Sequence, residues 1–427
     1  MKQKFIYTVI ILMTIVTVMV KAQNITELSI DSCYVMAERN YPLVKQYGLI
    51  NQSKEYSLDN VSKGYLPQVQ IGGQATYQSD VTTPTLNENL PGTVPLFETI
   101  SKDQYKIYGE LVQPITNLFT LDNNKDLVEA NAQIETKKIE VELYKLKERV
   151  NQLYFGILLI DLQLTQNTLV KKDIETGIKK TEASIRNGIA LKSNLDLLKA
   201  EMLKADQQEI ELLAGKKAYT DMLGLFIGIQ IMDETEIQKP KMPSFSSVVE
   251  RPELAMFDQQ KQIFDIQGNN INSRNLPQFN LFFQTGMGRP ALNMLSNKFD
   301  FFYIGGLRLN WNIAGFYTSN KEKKILEFNK SSLDVQKETF LFNTNLEVKK
   351  QFNEVTKIES LIKTDNEIIE LRENIKNTAQ NQLANGVITA NDYVSYVNAV
   401  DKARQNLLLH ETQLLMVLYN NKITTGN

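Results

Sequence analysis

Two stretches of the chain place apolar residues at alternating intervals of four and three. In the first, Ile139, Leu143, Leu146, Val150, Leu153, Ile157, Ile160 and Leu164 trace the seam of a coiled coil. In the second, Leu341, Val348, Val355, Ile362 and Ile369 recur every seven residues, and Leu361, Ile368 and Ile375 widen the stripe. Proline is absent from 115 to 239 and from 291 to 427, and the 70 residues from Phe316 to Asn385 contain neither glycine nor proline. Because proline breaks helix interiors, the pattern predicts long helices over 117–187 and 316–385. At 1.5 Å per residue the second would be roughly 105 Å long. Each ends at an Asn-Gly pair, Asn187-Gly188 and Asn385-Gly386, suited to a left-handed C-terminal cap. A shorter amphipathic helix follows each pair, over 193–223 and 391–419.

Elsewhere the period is two. Val69, Ile71, Ala75 and Tyr77 oppose Gln68, Gln70, Gln74 and Gln78, and Phe279, Leu281 and Phe283 oppose Gln278, Asn280 and Gln284. The returning segments set Tyr105, Ile107 and Leu111 against Gln104, Lys106 and Glu110, and Leu307, Leu309 and Trp311 against Arg308, Asn310 and Asn312. Strands are therefore expected over 66–80, 104–113, 276–285 and 301–313, joined by loops over 81–103 and 286–300. Each strand would have one apolar and one polar face.

These elements occur twice. Pro42 and Leu66-Pro67-Gln68 recur 210 residues later as Pro252 and Leu276-Pro277-Gln278, while Leu111 to Phe119 and the Asn-Gly turns recur after 198. The first copy thus holds 12 additional residues, most simply in the proline-rich loop. The expected organisation is a first repeat over 23–240 and a second over 241–427, each opening on a short helix, which in the second spans 252–275.

Composition narrows the chemistry. The 427 residues carry 47 basic and 49 acidic side chains, a formal charge of −2, with no basic stripe, so nucleic acid is not an expected partner. One histidine, His410, and one cysteine, Cys33, cannot build a Cys/His zinc site or a disulfide framework. His410 is expected on a polar helix surface and Cys33 in a core. No enzyme activity, cofactor or metal is expected. Lys2 and Lys4 precede an apolar run from Phe5 to Val20 with Ala22 as a cleavage residue, which reads as a signal peptide over 1–22; a single N-terminal anchor helix is the alternative. No later segment approaches 18 consecutive apolar residues, so entry into a membrane would require strands closed into a barrel.

Alternation alone also suits two β-hairpins on a soluble core, with the polar face outward. Export and repetition favour the barrel reading, an apolar face toward lipid and a polar face toward water. Four strands of about ten residues do not close a pore, whereas three copies supply twelve. The expected fold is mainly α with transmembrane β: a trimeric 12-stranded barrel continued by long helices. The rival from another class is an exported trimeric coiled-coil surface or stalk protein without a pore. That rival does not account for two amphipathic hairpins per chain.

The order short helix, Leu-Pro-Gln strand, loop, returning strand, long helix, Asn-Gly turn and short helix resembles the TolC family of outer-membrane efflux proteins. The returning strands end in Gln113-Pro114-Ile115 and Trp311-Asn312-Ile313, and the turns read Asn187-Gly188-Ile189-Ala190 and Asn385-Gly386-Val387-Ile388-Thr389. The resemblance covers almost all of the mature chain and rests on order and spacing more than on one motif. It implies a homotrimeric channel in the outer membrane of a Gram-negative bacterium, in contact with outer-membrane lipid and reaching into the periplasm. There it would dock a periplasmic adaptor protein and an inner-membrane pump of the resistance-nodulation-division or ABC type, as the exit duct of an efflux or type I secretion system.

The resemblance also carries site residues over. Asn187, Gly188, Ile189, Asn385, Gly386 and Val387 fall at the hairpin tips that meet the adaptor. Asp392 matches the first of two gating aspartate rings, but Ser395 stands where the second would be. Leu383 and Ile388 replace the polar latch, with Ser193 and Asn194 on the facing hairpin, so that a gate would rest on packing. Asp392 is equally suited to capping the helix that follows the turn, and the two roles are compatible. The alternation places Gln70, Gln74, Lys106, Glu110, Asn280, Arg308 and Asn310 on the polar face, the barrel lumen in this reading.

Overall fold

The computed structural model describes residues 27–83, 100–188 and 190–427. The expected signal peptide, residues 84–99 of the first loop and the tip residue Ile189 lie outside the described residues. In chain order the elements are β1 (Glu27–Leu28), α1 (Ile30–Asn40), α2 (Lys45–Ser62), β2 (Gln68–Tyr77), β3 (Asp103–Pro114), α3 (Asn117–Tyr144), α4 (Leu146–Arg186), α5 (Lys192–Ile227), β4 (Glu236–Ile237), α6 (Pro252–Arg274), β5 (Gln278–Arg289), β6 (Asp300–Asn310), α7 (Gly315–Ala384) and α8 (Ala390–Thr425). The chain is mostly helical and divides into two compact units. One takes 27–44, Glu142–Arg251 and Asn343–Asn427, and the other takes Lys45–Val141 and Pro252–Phe342.

The second of these units holds a four-stranded antiparallel sheet in the order β2-β3-β5-β6. Its pairing sets Gln70 opposite Glu110, Glu110 opposite Gln284, and Asn280 opposite Arg308. Strands β2 and β6 are the edges, each paired on one side only. Strand β5 runs on to Arg289, past the expected end at 285, with Arg289 opposite Tyr105. Gly286 and Gly288 lack the side chains from which alternation is read, which hides this extension in the sequence.

In the same unit α6 and α7 are joined by a ladder of ion pairs. Asp258–Lys337, Lys261–Asp334 and Asp265–Lys330 lie at 2.8, 2.8 and 2.6 Å, and Arg274–Glu322 at 2.5 Å. Each step forward along α6 is matched by a step back along α7, as antiparallel helices require. Ala130 and Ile134 of α3 are buried with Ile263 of α6.

The other unit is built around α4. Val150, Tyr154, Phe155, Ile157 and Leu158 pack with Leu28, Ile30, Cys33, Leu223, Leu415 and Tyr419. The Tyr154 hydroxyl lies 2.9 Å from Leu28 O and 2.6 Å from Gln238 O, tying down the short parallel pair β1–β4. Cys33 is fully buried, and burial pushes its thiol up to about 12, which makes it inert. Together α3 and α4 are, among the described residues, the one helical stretch long and apolar enough by composition to cross a membrane. Val150, Leu153, Tyr154, Phe155, Ile157 and Leu158 of α4 belong to this core.

One expected helix carries a one-residue interruption, and one expected placement is corrected. The helix over 117–187 lapses at Lys145, whose φ of −63° and ψ of −20° stay right-handed; the hydrogen-bond ladder is interrupted without a reversal. The lapse sits beside Tyr144, whose hydroxyl donates to Ile423 O at 2.9 Å. His410 is half-buried rather than on a polar surface, with Nδ1 2.6 Å from the Asp365 carboxylate on α7, because α8 packs this side toward α7.

Candidate functional site

Two regions hold the candidate residues. On the sheet, successive side chains separate onto two faces. Val69, Ile71, Tyr105, Ile107, Leu111, Leu281, Phe283, Phe301, Tyr303, Leu307 and Leu309 are exposed large hydrophobics, all at odd positions and, by the pairing, on one face, while Ile304 is exposed on the other. The opposite face carries Gln70, Gln74, Lys106, Glu110, Asn280, Arg308 and Asn310, which the pairing brings together.

That polar face also holds three rings that the residue types quoted for it leave out: Tyr108, Phe282 and Phe302. Their even numbering was the available signal. The rings are accommodated by glycine on the neighbouring strand. A Cβ on Gly72 would stand 2.6 Å from Tyr108 Cζ, and one on Gly306 would stand 3.3 Å from Phe282 Cε1. Cations cover the rings: Lys106 Nζ lies 4.6 Å from the Phe302 centroid and 5.1 Å from that of Tyr108, and the Arg308 guanidinium lies 4.4 Å from that of Phe282. Such contacts are worth about 0.5–1 kcal/mol each where solvated. Lys106 donates to Gln284 Oε1 at 3.0 Å, and Arg308 reaches across β5 to pair with Glu110 at 2.8 Å.

The second region is at the helix turns. Gly188 and Gly386 both adopt φ of +71°, where a side chain would be strained. The N–H of Val387 closes on Gln382 O at 2.9 Å, satisfying an end carbonyl of α7. Asn187, Gly188, Asn385, Gly386 and Val387 are exposed. Asp392 forms a capping box with Thr389: the Thr389 N–H donates to the carboxylate at 3.0 Å, and the Asp392 N–H donates to the Thr389 hydroxyl oxygen at 3.2 Å. Hydrogen bonds from the Thr389 hydroxyl and backbone N–H hold the Asp392 carboxyl below the usual aspartate range.

Behind the turns lies a buried apolar cluster of Val170, Ile174, Leu198, Ala379, Leu383, Tyr393, Val394 and Val397, with Ile388 packed against it. Leu383 and Ile388 thus belong to one patch, whereas Ser193, Asp392 and Ser395 are exposed and Asn194 is half-buried. A polar link that the sequence reading missed runs beside the cluster: Lys376 donates to Asp173 at 2.7 Å and the Tyr393 hydroxyl donates to Asp173 O at 3.3 Å. Among the described residues no group of three or more His, Cys, Asp or Glu side chains is placed to hold a metal ion.

No protein-family profile and no curated protein sequence matches the chain. Solved structures do. The Campylobacter jejuni CmeC outer membrane channel is 13% identical, with 93% of this chain and 85% of that one covered and a TM-score of 0.60. The Vibrio cholerae outer membrane protein VceC is 10% identical, with 93% and 96% covered and a TM-score of 0.62. The open state of the Neisseria gonorrhoeae MtrE outer membrane channel is 11% identical, with 93% and 89% covered and a TM-score of 0.63. The chain therefore has the fold of the TolC-family outer-membrane channels, over nearly all of its length.

Proposed function

We propose that the protein is a trimeric channel of the Gram-negative outer membrane and the passive exit duct of an efflux or type I secretion assembly. The observation that carries this is the sheet: four strands, two one-sided edges, one exposed apolar face and one polar face, in a chain with the fold of outer-membrane channels. An exposed apolar face of this extent is a liability in water and a requirement in lipid. Pairing β6 of one copy with β2 of the next would satisfy both edges, and three copies would close twelve strands. The polar face would then line the lumen.

Unpartnered helix faces support the same assembly. Phe328, Val335, Phe342, Leu361, Ile368, Leu371 and Ile375 on α7, and Leu203, Ile210 and Leu213 on α5, are exposed in the single chain at coiled-coil spacings. We assign these stripes to contacts between copies. The exposed turns at Asn187-Gly188 and Asn385-Gly386-Val387 are the docking points for a periplasmic adaptor, through which an inner-membrane pump of the resistance-nodulation-division or ABC type supplies energy. The cluster around Leu383 and Ile388 would hold a gate shut by packing. A pore-free stalk gives the two-faced sheet no role.

The test is electron microscopy of the detergent-solubilised mature protein together with conductance in planar bilayers. Hollow threefold particles with ion conductance are expected. A filled rod without conductance would restore the stalk, and a compact monomer would defeat both.

A further inference from the structure

Glu110 and Arg308 are related by the same 198-residue offset that relates the two returning strands. Equivalent positions of the two halves thus carry opposite charges, and the two side chains bond each other at 2.8 Å across β5. The Glu110 side chain is 11% exposed and that of Arg308 43%, so the carboxylate lies low in the wall and the guanidinium folds over Phe282 to reach it. Among the described residues Lys106, on the same face, makes hydrogen-bond and ring contacts but no ion pair.

We propose that the Glu110–Arg308 pair is a charge-cancelling element of the lumen wall, which lets cargo of either sign pass this level of the duct. The inference rests on the duct reading above. Around a trimer the pair becomes a ring of six alternating charges. Identical residues at the two equivalent positions would instead give six like charges facing one another, a field that selects ions by sign. Removing either partner leaves three like charges facing the lumen. Lys106 and Asp300, which share a register row closer to the loop end of the sheet, stay constant and set the background.

The experiment measures reversal potentials of full-length protein in planar bilayers under a potassium chloride gradient. E110Q should shift the chloride-to-potassium permeability ratio toward chloride and R308Q toward potassium. The double variant E110Q/R308Q and the swap E110R/R308E should both return to the wild-type ratio. Conducting variants that all share the wild-type ratio would overturn the proposal and leave the duct reading intact, particularly if the single variants only lost thermal resistance of the trimer. Single variants that shift in the same direction, or a swap that fails to restore the ratio, would overturn it as well. Absence of any wild-type conductance would defeat the duct reading and this proposal with it. Because the swap keeps the ion pair, it guards against a single variant that fails to assemble.

Discussion

Tyr393 lies across the bare face of Gly177: a Cβ on that glycine would stand 2.8 Å from Tyr393 Cε1. The tyrosine is 1% exposed, and its hydroxyl meets Asp173 O one turn earlier on α4. Alanine at 177 would gain about 1 kcal/mol of helix propensity but would displace a buried ring. G177A is expected to destabilise the protein by about 1–3 kcal/mol, and Y393F by about 0.5–1.5 kcal/mol for the lost hydrogen bond. Thermal denaturation of the solubilised protein would check both values.

The ladder between α6 and α7 is solvent-exposed, so its individual rungs are weak and salt-sensitive. K261E should cost about 0.2–1 kcal/mol at low salt, through loss of the Asp334 pair and new repulsion. K261E/D334K should recover most of it. Denaturant titrations at low and high ionic strength would show the deficit shrinking with salt. A deficit indifferent to salt would point to packing instead.

The Thr389–Asp392 box makes the second turn acid-sensitive. Because the folded carboxyl titrates below its ordinary value, its contribution is complete above the unfolded aspartate range, near 3.9. It fades as pH falls through the lowered folded value. T389A removes the hydroxyl contact and should flatten that acid dependence, with faster amide exchange in the first turn of α8 at neutral pH. If Asp392 also faces a lumen, D392A should reduce cation preference in bilayers, whereas T389A, which keeps the charge, should not.

Trp311 is the chain's single tryptophan and a built-in depth gauge. It is 51% exposed just past the end of β6, with its indole N–H donating to Asn275 O at 3.1 Å and its ring edge-on to Phe316. An indole half satisfied and half exposed suits a membrane interface. In reconstituted vesicles its fluorescence should be quenched strongly by brominated lipid and weakly by aqueous iodide. The reverse pattern would remove this end of the sheet from lipid.

The helical content and the two-faced strands are legible in the sequence because they depend on composition over many residues. A 70-residue span without glycine or proline leaves a helix few alternatives, and alternation through Leu307 and Leu309 leaves a strand few others, although the strand stops at Asn310, short of Trp311. The break at Lys145 is not legible, since no breaker residue marks it and the backbone there stays right-handed. The buried contact of His410 depends on which side α8 turns toward α7. Complementary spacing of Asp258, Lys261 and Asp265 with Lys330, Asp334 and Lys337 was present in the sequence, but only as one of many charge patterns on polar helices. At the candidate site, residue type assigned Lys106, Glu110 and Arg308 to one face, while the partnership of the last two needed the strand register.

Leu28 near the start of the described chain and Tyr419 near its end belong to one buried cluster. The segments of the two units alternate along the polypeptide, so neither unit is synthesised in one piece. A ribosome that has made the first 400 residues has therefore made no complete core of this unit. The part of the cluster that Leu415 and Tyr419 complete must wait for the final helix, and contacts of such sequence separation form slowly. Folding of this unit is in that sense a post-synthetic event, and the chain is most exposed to aggregation and proteolysis during the interval before α8 arrives.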